Sequence, residues 1–118
     1  MIDDDADIRR VASLSLSRVG RMEVVDANGG LEGVRKAAAE KPDAILLDVM
    51  MPGLDGPATL AALRSNPATA AIPVVFLTAK AMASEIQRLM SLGATGVLTK
   101  PFDPMALPEQ LKTLLPGG

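Results

Sequence analysis

Two tetrads limit this chain more than any other feature: Ala44-Ile45-Leu46-Leu47 and Val74-Val75-Phe76-Leu77 are apolar without alternation. A strand with one wet face alternates apolar and polar residues, whereas a strand covered on both faces does not. Helical stripes surround these runs. Asp7 to Val19 carries Ile8, Val11, Ala12 and Val19 on one face, with Gly20 as a stop. Leu31, Val34 and Ala38 mark a second helix after Asn28-Gly29-Gly30, closed by Lys41-Pro42 because proline disfavours helix in the residue before it. A third opens at Pro57, a residue suited to a first helical turn, and ends near Asn66-Pro67. Ile86, Leu89 and Met90 stripe a fourth, and Leu107, Leu111, Leu114 and Leu115 a fifth. Met22 to Val25 and Val97-Leu98 read as short further strands. Such alternation predicts a parallel sheet with helices on both faces. Right-handed crossovers narrow the topologies without giving a strand order. One domain over residues 1–118 is expected, with Pro116-Gly117-Gly118 as a frayed tail.

Composition decides which chemistry is open. Aromatics make up 2% against 48% hydrophobic residues, so aliphatic side chains must fill the core. The absence of cysteine removes disulfides and thiolate metal sites. The absence of histidine removes the commonest general base and the commonest metal ligand. Any metal is therefore held through oxygen, which favours magnesium, calcium or manganese. A net charge of −2 with mixed signs gives no nucleic-acid footprint. No apolar stretch approaches the roughly 20 residues of a membrane span, and Met1-Ile2-Asp3 lacks the basic and apolar regions of a signal peptide. A cytoplasmic domain that touches neither membrane nor nucleic acid is expected.

The strand ends carry the chemistry. Parallel strands gather their carboxyl ends at one edge, where ligands bind. Asp48, Thr78 and Lys100 each follow an apolar run, and Asp3-Asp4 opens the chain. Folding would bring three carboxylates, a hydroxyl and an ammonium together, a set suited to a divalent metal and a phosphoryl group. Converging carboxylates repel one another, and a cation or the Lys100 ammonium relieves that repulsion. Asp5 or Asp7 is expected to cap the first helix. A calcium loop starting at Asp3 fails, since Ile8 stands where glycine is needed and Leu14 where a bidentate glutamate is needed. Thr78 has a plainer reading as a cap on the following helix. Pro101 follows Lys100 directly, and an X-Pro bond is the kind that adopts cis.

With these residues identified, the chain resembles the receiver domain of two-component response regulators. The resemblance runs through Ile2-Asp3-Asp4-Asp5, Leu46 to Gly56, Phe76-Leu77-Thr78-Ala79 and Leu98-Thr99-Lys100-Pro101-Phe102. It implies a flavodoxin-like, doubly wound, five-stranded parallel sheet of order 2-1-3-4-5. It also implies that Asp48 accepts a phosphoryl group from a histidine kinase or phosphotransfer protein. Mg2+ is then bound by Asp4 directly, by Asp3 mainly through water, by Asp48 and by the Met50 backbone carbonyl. Thr78 hydrogen-bonds the phosphoryl group, Lys100 pairs with it, and Lys100-Pro101 is cis. Activity is limited to phosphotransfer and autodephosphorylation. By analogy, a downstream effector reads residues 81–115.

Two departures from the family pattern stand out. Only Met1 and Ile2 precede Asp3, so a truncated first strand is expected. Val97 stands where many receivers have Tyr or Phe, so switching by ring rotation is unavailable, and output is expected to rely on Thr78 and the 79–84 segment. Two other functions compete. Asp3 and Asp5 have the D-x-D spacing of aspartyl-nucleophile phosphatases, but no chain remains for a cap and substrate pocket. A pseudo-receiver binding partners without phosphorylation is opposed by the intact acidic set and lysine.

Overall fold

The computed structural model describes residues 1–116. Three parallel strands, β1 (Ile45–Asp48), β2 (Val74–Thr78) and β3 (Gly96–Thr99), pair in the order β1-β2-β3. Every residue of β1 and β2 is buried, as the unalternating tetrads require. The helices are α1 (Ala6–Leu14, continued by a π turn over Ser15–Val19), α2 (Gly30–Glu40), α3 (Gly56–Ser65), α4 (Ala83–Ser91) and α5 (Leu107–Leu114). The expected Pro116-Gly117-Gly118 tail falls largely outside the described residues.

The sheet divides the core by strand parity. Ile45, Leu47, Val74 and Phe76 point to one face and meet Ala37 of α2, Leu60 and Leu63 of α3, and Leu89 of α4. Leu46, Val75 and Leu77 point to the other and meet Ala12 of α1 and Leu107 and Leu111 of α5. Successive side chains of a strand alternate faces, so one short apolar run feeds two cores.

Beyond β1 the chain is held by single bridges rather than strands. Ile2 bridges in parallel to Leu47 on one side and Ala27 on the other. Ile2 N–H donates to Leu46 O at 2.8 Å and Asp48 N–H to Ile2 O at 2.9 Å. On the far side Ala27 N–H donates to Met1 O at 2.9 Å and Asp3 N–H to Ala27 O at 3.2 Å. The expected first strand is thus a three-residue ladder segment. The expected Met22–Val25 strand does not form; its contacts with the first segment are the Met1 amino group donating to Val25 O at 3.0 Å and the bridge at Ala27.

Small residues set the close approaches. A Cβ at Gly33 would press into Ile2, and α2 accordingly buries Gly30, Gly33 and Ala37 while Leu31 stays 78% exposed. Of the expected Leu31, Val34 and Ala38 stripe, Val34 packs partly buried on the core, while the fully buried positions are Gly30, Gly33 and Ala37. Gly56, at the start of α3, donates its N–H to Val49 O. A Cβ there would lie 2.6 Å from Asp48 O and 2.7 Å from the Val49 Cα, both backbone atoms with nowhere to go. Gly56→Ala is therefore expected to cost about 1–3 kcal/mol through overpacking, measured by urea unfolding. A variant as stable as the parent would show that the β1–α3 junction yields.

Candidate metal and phosphoryl site

Each side chain of the site owes its position to the end of an ordered segment. Asp3 closes the short ladder segment, Asp48 is the last residue of β1, Thr78 the last of β2, and Lys100 follows β3. β1, β2 and β3 share one direction and close register, with Asp48 opposite Leu77 and Thr78 opposite Thr99, so their ends coincide. Lys100 N–H donates to Thr78 O at 2.7 Å, which ties the last two ends together. The Lys100–Pro101 peptide is cis.

The acidic residues meet. One carboxylate oxygen from each of Asp3, Asp4 and Asp48 lies within 4.8 Å of the others. Asp3 and Asp48 are buried, and Asp4 is exposed. Lys100 Nζ sits 2.8 Å from Asp48 Oδ1 and 3.4 Å from Asp3 Oδ2. Asp5 caps α1, taking the N–H groups of Asp7 and Ile8, as one of the two capping expectations held. Asp5 also gives its own N–H to Asp3 Oδ1 at 2.9 Å.

Burial is the largest influence on Asp3 and pushes its carboxyl above the ordinary range. The Asp5 N–H and Lys100 oppose this, while the Asp48 charge adds to it. Burial also acts on Lys100 and disfavours its charge, but the Asp48 hydrogen bond and the charges of Asp3 and Asp48 outweigh it, so the ammonium is held above its ordinary value. The contact between Lys100 and Asp3 is the longer of the two ion pairs, and it does not repay the desolvation of a carboxylate with no solvent exposure.

The sign of the Asp3 effect is definite. A carboxyl whose folded-state pKa exceeds its unfolded 3.8 costs the folded state stability as pH rises through that interval. Asp3→Asn keeps an acceptor for the Asp5 N–H and removes the buried charge. In buffer free of divalent ions it is expected to melt higher than the parent at neutral pH, with the gap closing below pH 3.8. Thermal unfolding at both pH values checks this, and a lower melting temperature at neutral pH would refute it.

The remaining predicted residues are placed as follows. Thr78 is buried, and its hydroxyl accepts the Lys80 N–H at 3.0 Å rather than capping α4, which starts five residues later. Among the described residues, no hydrogen bond joins Thr78 Oγ1 to Asp48 or Lys100. Met50 lies just past β1 with an exposed side chain. Val97 stands opposite Phe76 across β2 and β3 and packs, partly buried, on the core. Sequence reasoning missed Arg9. Its guanidinium donates to Asp3 O at 2.9 Å and faces Asp26 Oδ2 at 3.5 Å. The signal was an arginine one turn into a helix that begins beside the acidic pair.

Known proteins resemble this chain in sequence and in fold over nearly its whole length. A family model described as the response regulator receiver domain matches residues 1–112. The chain is 36% identical over 115 residues to the alkaline phosphatase synthesis transcriptional regulatory protein PhoP of Bacillus subtilis, covering 98% of the chain and 47% of that protein. It is 35% identical over 117 residues to protein PilG of Pseudomonas aeruginosa, covering 99% of the chain and 86% of PilG. The chain thus spans about half the length of several regulators it resembles, PhoP and Streptomyces coelicolor CseB among them, at 47% each. Among solved structures, the chemotaxis protein CheY4 of Vibrio cholerae superposes with a TM-score of 0.88 at 34% identity, over 97% of this chain and 94% of that one. No helix among the described residues is long and apolar enough to cross a membrane.

Proposed function

Because the chain belongs to the response regulator receiver domain family, we propose that Asp48 accepts a phosphoryl group from the phosphohistidine of a sensor kinase or phosphotransfer protein. One observation carries the assignment: the buried Asp48 carboxylate lies 2.8 Å from the Lys100 ammonium and beside the carboxylates of Asp3 and Asp4. An Asp48 oxygen bonds to phosphorus as the P–N bond to the donor imidazole breaks, and the electron pair of that bond returns to the imidazole. Lys100 then pairs with a phosphoryl oxygen instead of the carboxylate it holds beforehand, and the Thr78 hydroxyl donates to another.

The donor set fits Mg2+: three carboxylates, oxygen atoms only, with mutual distances within 4.8 Å. Asp4, exposed, takes the direct position. Asp3, buried and already holding the Asp5 N–H, acts mainly through water, and Asp48 and the Met50 carbonyl complete the protein ligands. When bound, Mg2+ supplies neutralisation of the phosphoryl oxygens.

The finer architecture follows the same reading. Taken as two shortened strands, the Ile2 bridges support the order 2-1-3-4-5, within a single domain of residues 1–118. Transfer and loss of the phosphoryl group are then the chain's only chemistry. Residues 81–115 form the effector-facing surface, where Met82, Met90, Leu92 and Met105 remain exposed. Thr78, drawn toward a phosphoryl group, pulls on the Lys80 N–H that it accepts, and so moves the 79–84 segment without an aromatic ring at Val97. The kinase partner places this activity in the cytoplasm.

Acetyl phosphate, added with and without Mg2+, tests the reading by intact mass or phosphorus NMR, and beryllofluoride tests it by fluorine NMR. An adduct of one group per chain that needs Mg2+ is expected. No adduct under either condition would favour a pseudo-receiver, and steady turnover of small phosphomonoesters would favour a phosphatase.

A further inference from the structure

We propose that Arg9 is a positioning residue for the acidic cluster, acting through the backbone of Asp3 rather than through any ligand. The proposal rests on the Mg2+ reading of that cluster. Asp4 is its exposed member, and among the described residues no hydrogen bond to the Asp4 side chain fixes its direction. Its aim therefore depends on the peptide that joins it to Asp3. That peptide is planar, so holding the Asp3 carbonyl fixes the plane from which Asp4 departs. Arg9 holds it, with Nη1 at 2.9 Å from Asp3 O. The Asp3 N–H is held separately by Ala27 O, and its carboxylate by the Asp5 N–H, so Arg9 supplies the restraint that the others leave out.

The guanidinium is itself held. Its Nε faces Asp26 Oδ2 at 3.5 Å, one residue before the Ala27 that receives the Asp3 N–H. Asp26 is anchored in turn, since its carbonyl accepts from Lys36 Nζ of α2 at 2.6 Å. The same ammonium faces Glu32, whose carboxylate accepts the Asn28 N–H. A planar fork grips two acceptors in fixed directions, and a lysine ammonium offers one point of attachment. Partners that orient metal ligands from outside the coordination sphere commonly govern affinity by a factor of ten or more.

The test separates positioning from charge. If Arg9 acted only as a positive charge near three carboxylates, its removal would tighten Mg2+ binding. Positioning gives the opposite sign. Calorimetric titration with MgCl2 is expected to show Arg9→Met binding about tenfold more weakly than the parent. Arg9→Lys should fall between them although it keeps the charge, and Asp26→Asn on the surface should show a smaller loss of the same sign. Unchanged or tighter Mg2+ binding in Arg9→Met and Asp26→Asn overturns the proposal. So does a lowered melting temperature in metal-free buffer with affinity intact, which would make Arg9 a structural brace alone. A parent protein that takes up no Mg2+ would instead overturn the reading of the cluster on which this proposal stands.

Discussion

Asp48→Asn abolishes the phosphoryl adduct. Asparagine keeps the shape of the side chain and an oxygen to accept from Lys100 across the 2.8 Å contact, so the fold is expected to survive. What it lacks is the anionic oxygen that bonds to phosphorus, and the amide has no comparable nucleophile. With acetyl phosphate and Mg2+, intact mass should show an adduct on the parent and none on the variant. The choice among three neighbouring carboxylates makes this the sharpest test of the site. Asp4 is exposed and Asp3 already serves two partners, so either could be mistaken for the acceptor by proximity alone. An adduct that persists in Asp48→Asn would move the nucleophile to one of them.

Lys100→Met should produce the largest loss of stability among single changes at the site. Methionine preserves much of the aliphatic stem and removes the cation that faces Asp48 and Asp3, whose side chains are 4% and 0% exposed. Removing one partner of a buried pair leaves an uncompensated charge, at a cost of about 3–5 kcal/mol. Lys100 is itself 18% exposed, which places the expected loss near the lower end, about 3 kcal/mol in metal-free buffer. Mg2+ should restore more stability to this variant than to the parent, because binding to the folded state stabilises it by mass action and the competing ammonium is gone. The pH dependence has a fixed sign. A lysine held above its unfolded 10.5 contributes stability below that value and loses it as pH rises through the folded-state value. The parent should therefore show an alkaline loss that Lys100→Met does not. Urea unfolding across this range, with and without Mg2+, decides the matter, and equal stability of the two proteins at neutral pH would refute the pairing.

The sequence was most readable where burial on both faces leaves no alternative. β1 and β2 could be read from their unbroken apolar tetrads, and the residues that end them, Asp48 and Thr78, mark one edge of the sheet. Lys100 was legible from the Val97-Leu98 run before it and Pro101 after it, although β3 is only partly buried. The Met22–Val25 segment misled because β-branched residues signal strand propensity while a strand needs a partner. Here the backbone contacts to the Met1–Asp3 segment fall on Val25 O and Ala27 and form no continuous ladder over Met22–Val25. α2 misled for another reason. Its buried face is built from Gly30, Gly33 and Ala37, which no hydrophobic count selects, and the approach of Gly33 to Ile2 is a long-range fact. Thr78 bonds within its own loop, because α4 starts too far along the chain for its hydroxyl to cap. Arg9 was passed over because its position beside the acidic pair does not reveal its partners, a backbone carbonyl and an aspartate seventeen positions away.

The peptide nitrogen of Asp48 is bound to the Ile2 oxygen, one residue before the acidic pair begins. A single amide thus reports on the nucleophile and on the innermost backbone contact at once. Its hydrogen–deuterium exchange should slow when a cation or phosphoryl group occupies the edge of the sheet, which makes that one proton a gauge of site occupancy readable without labels on any side chain.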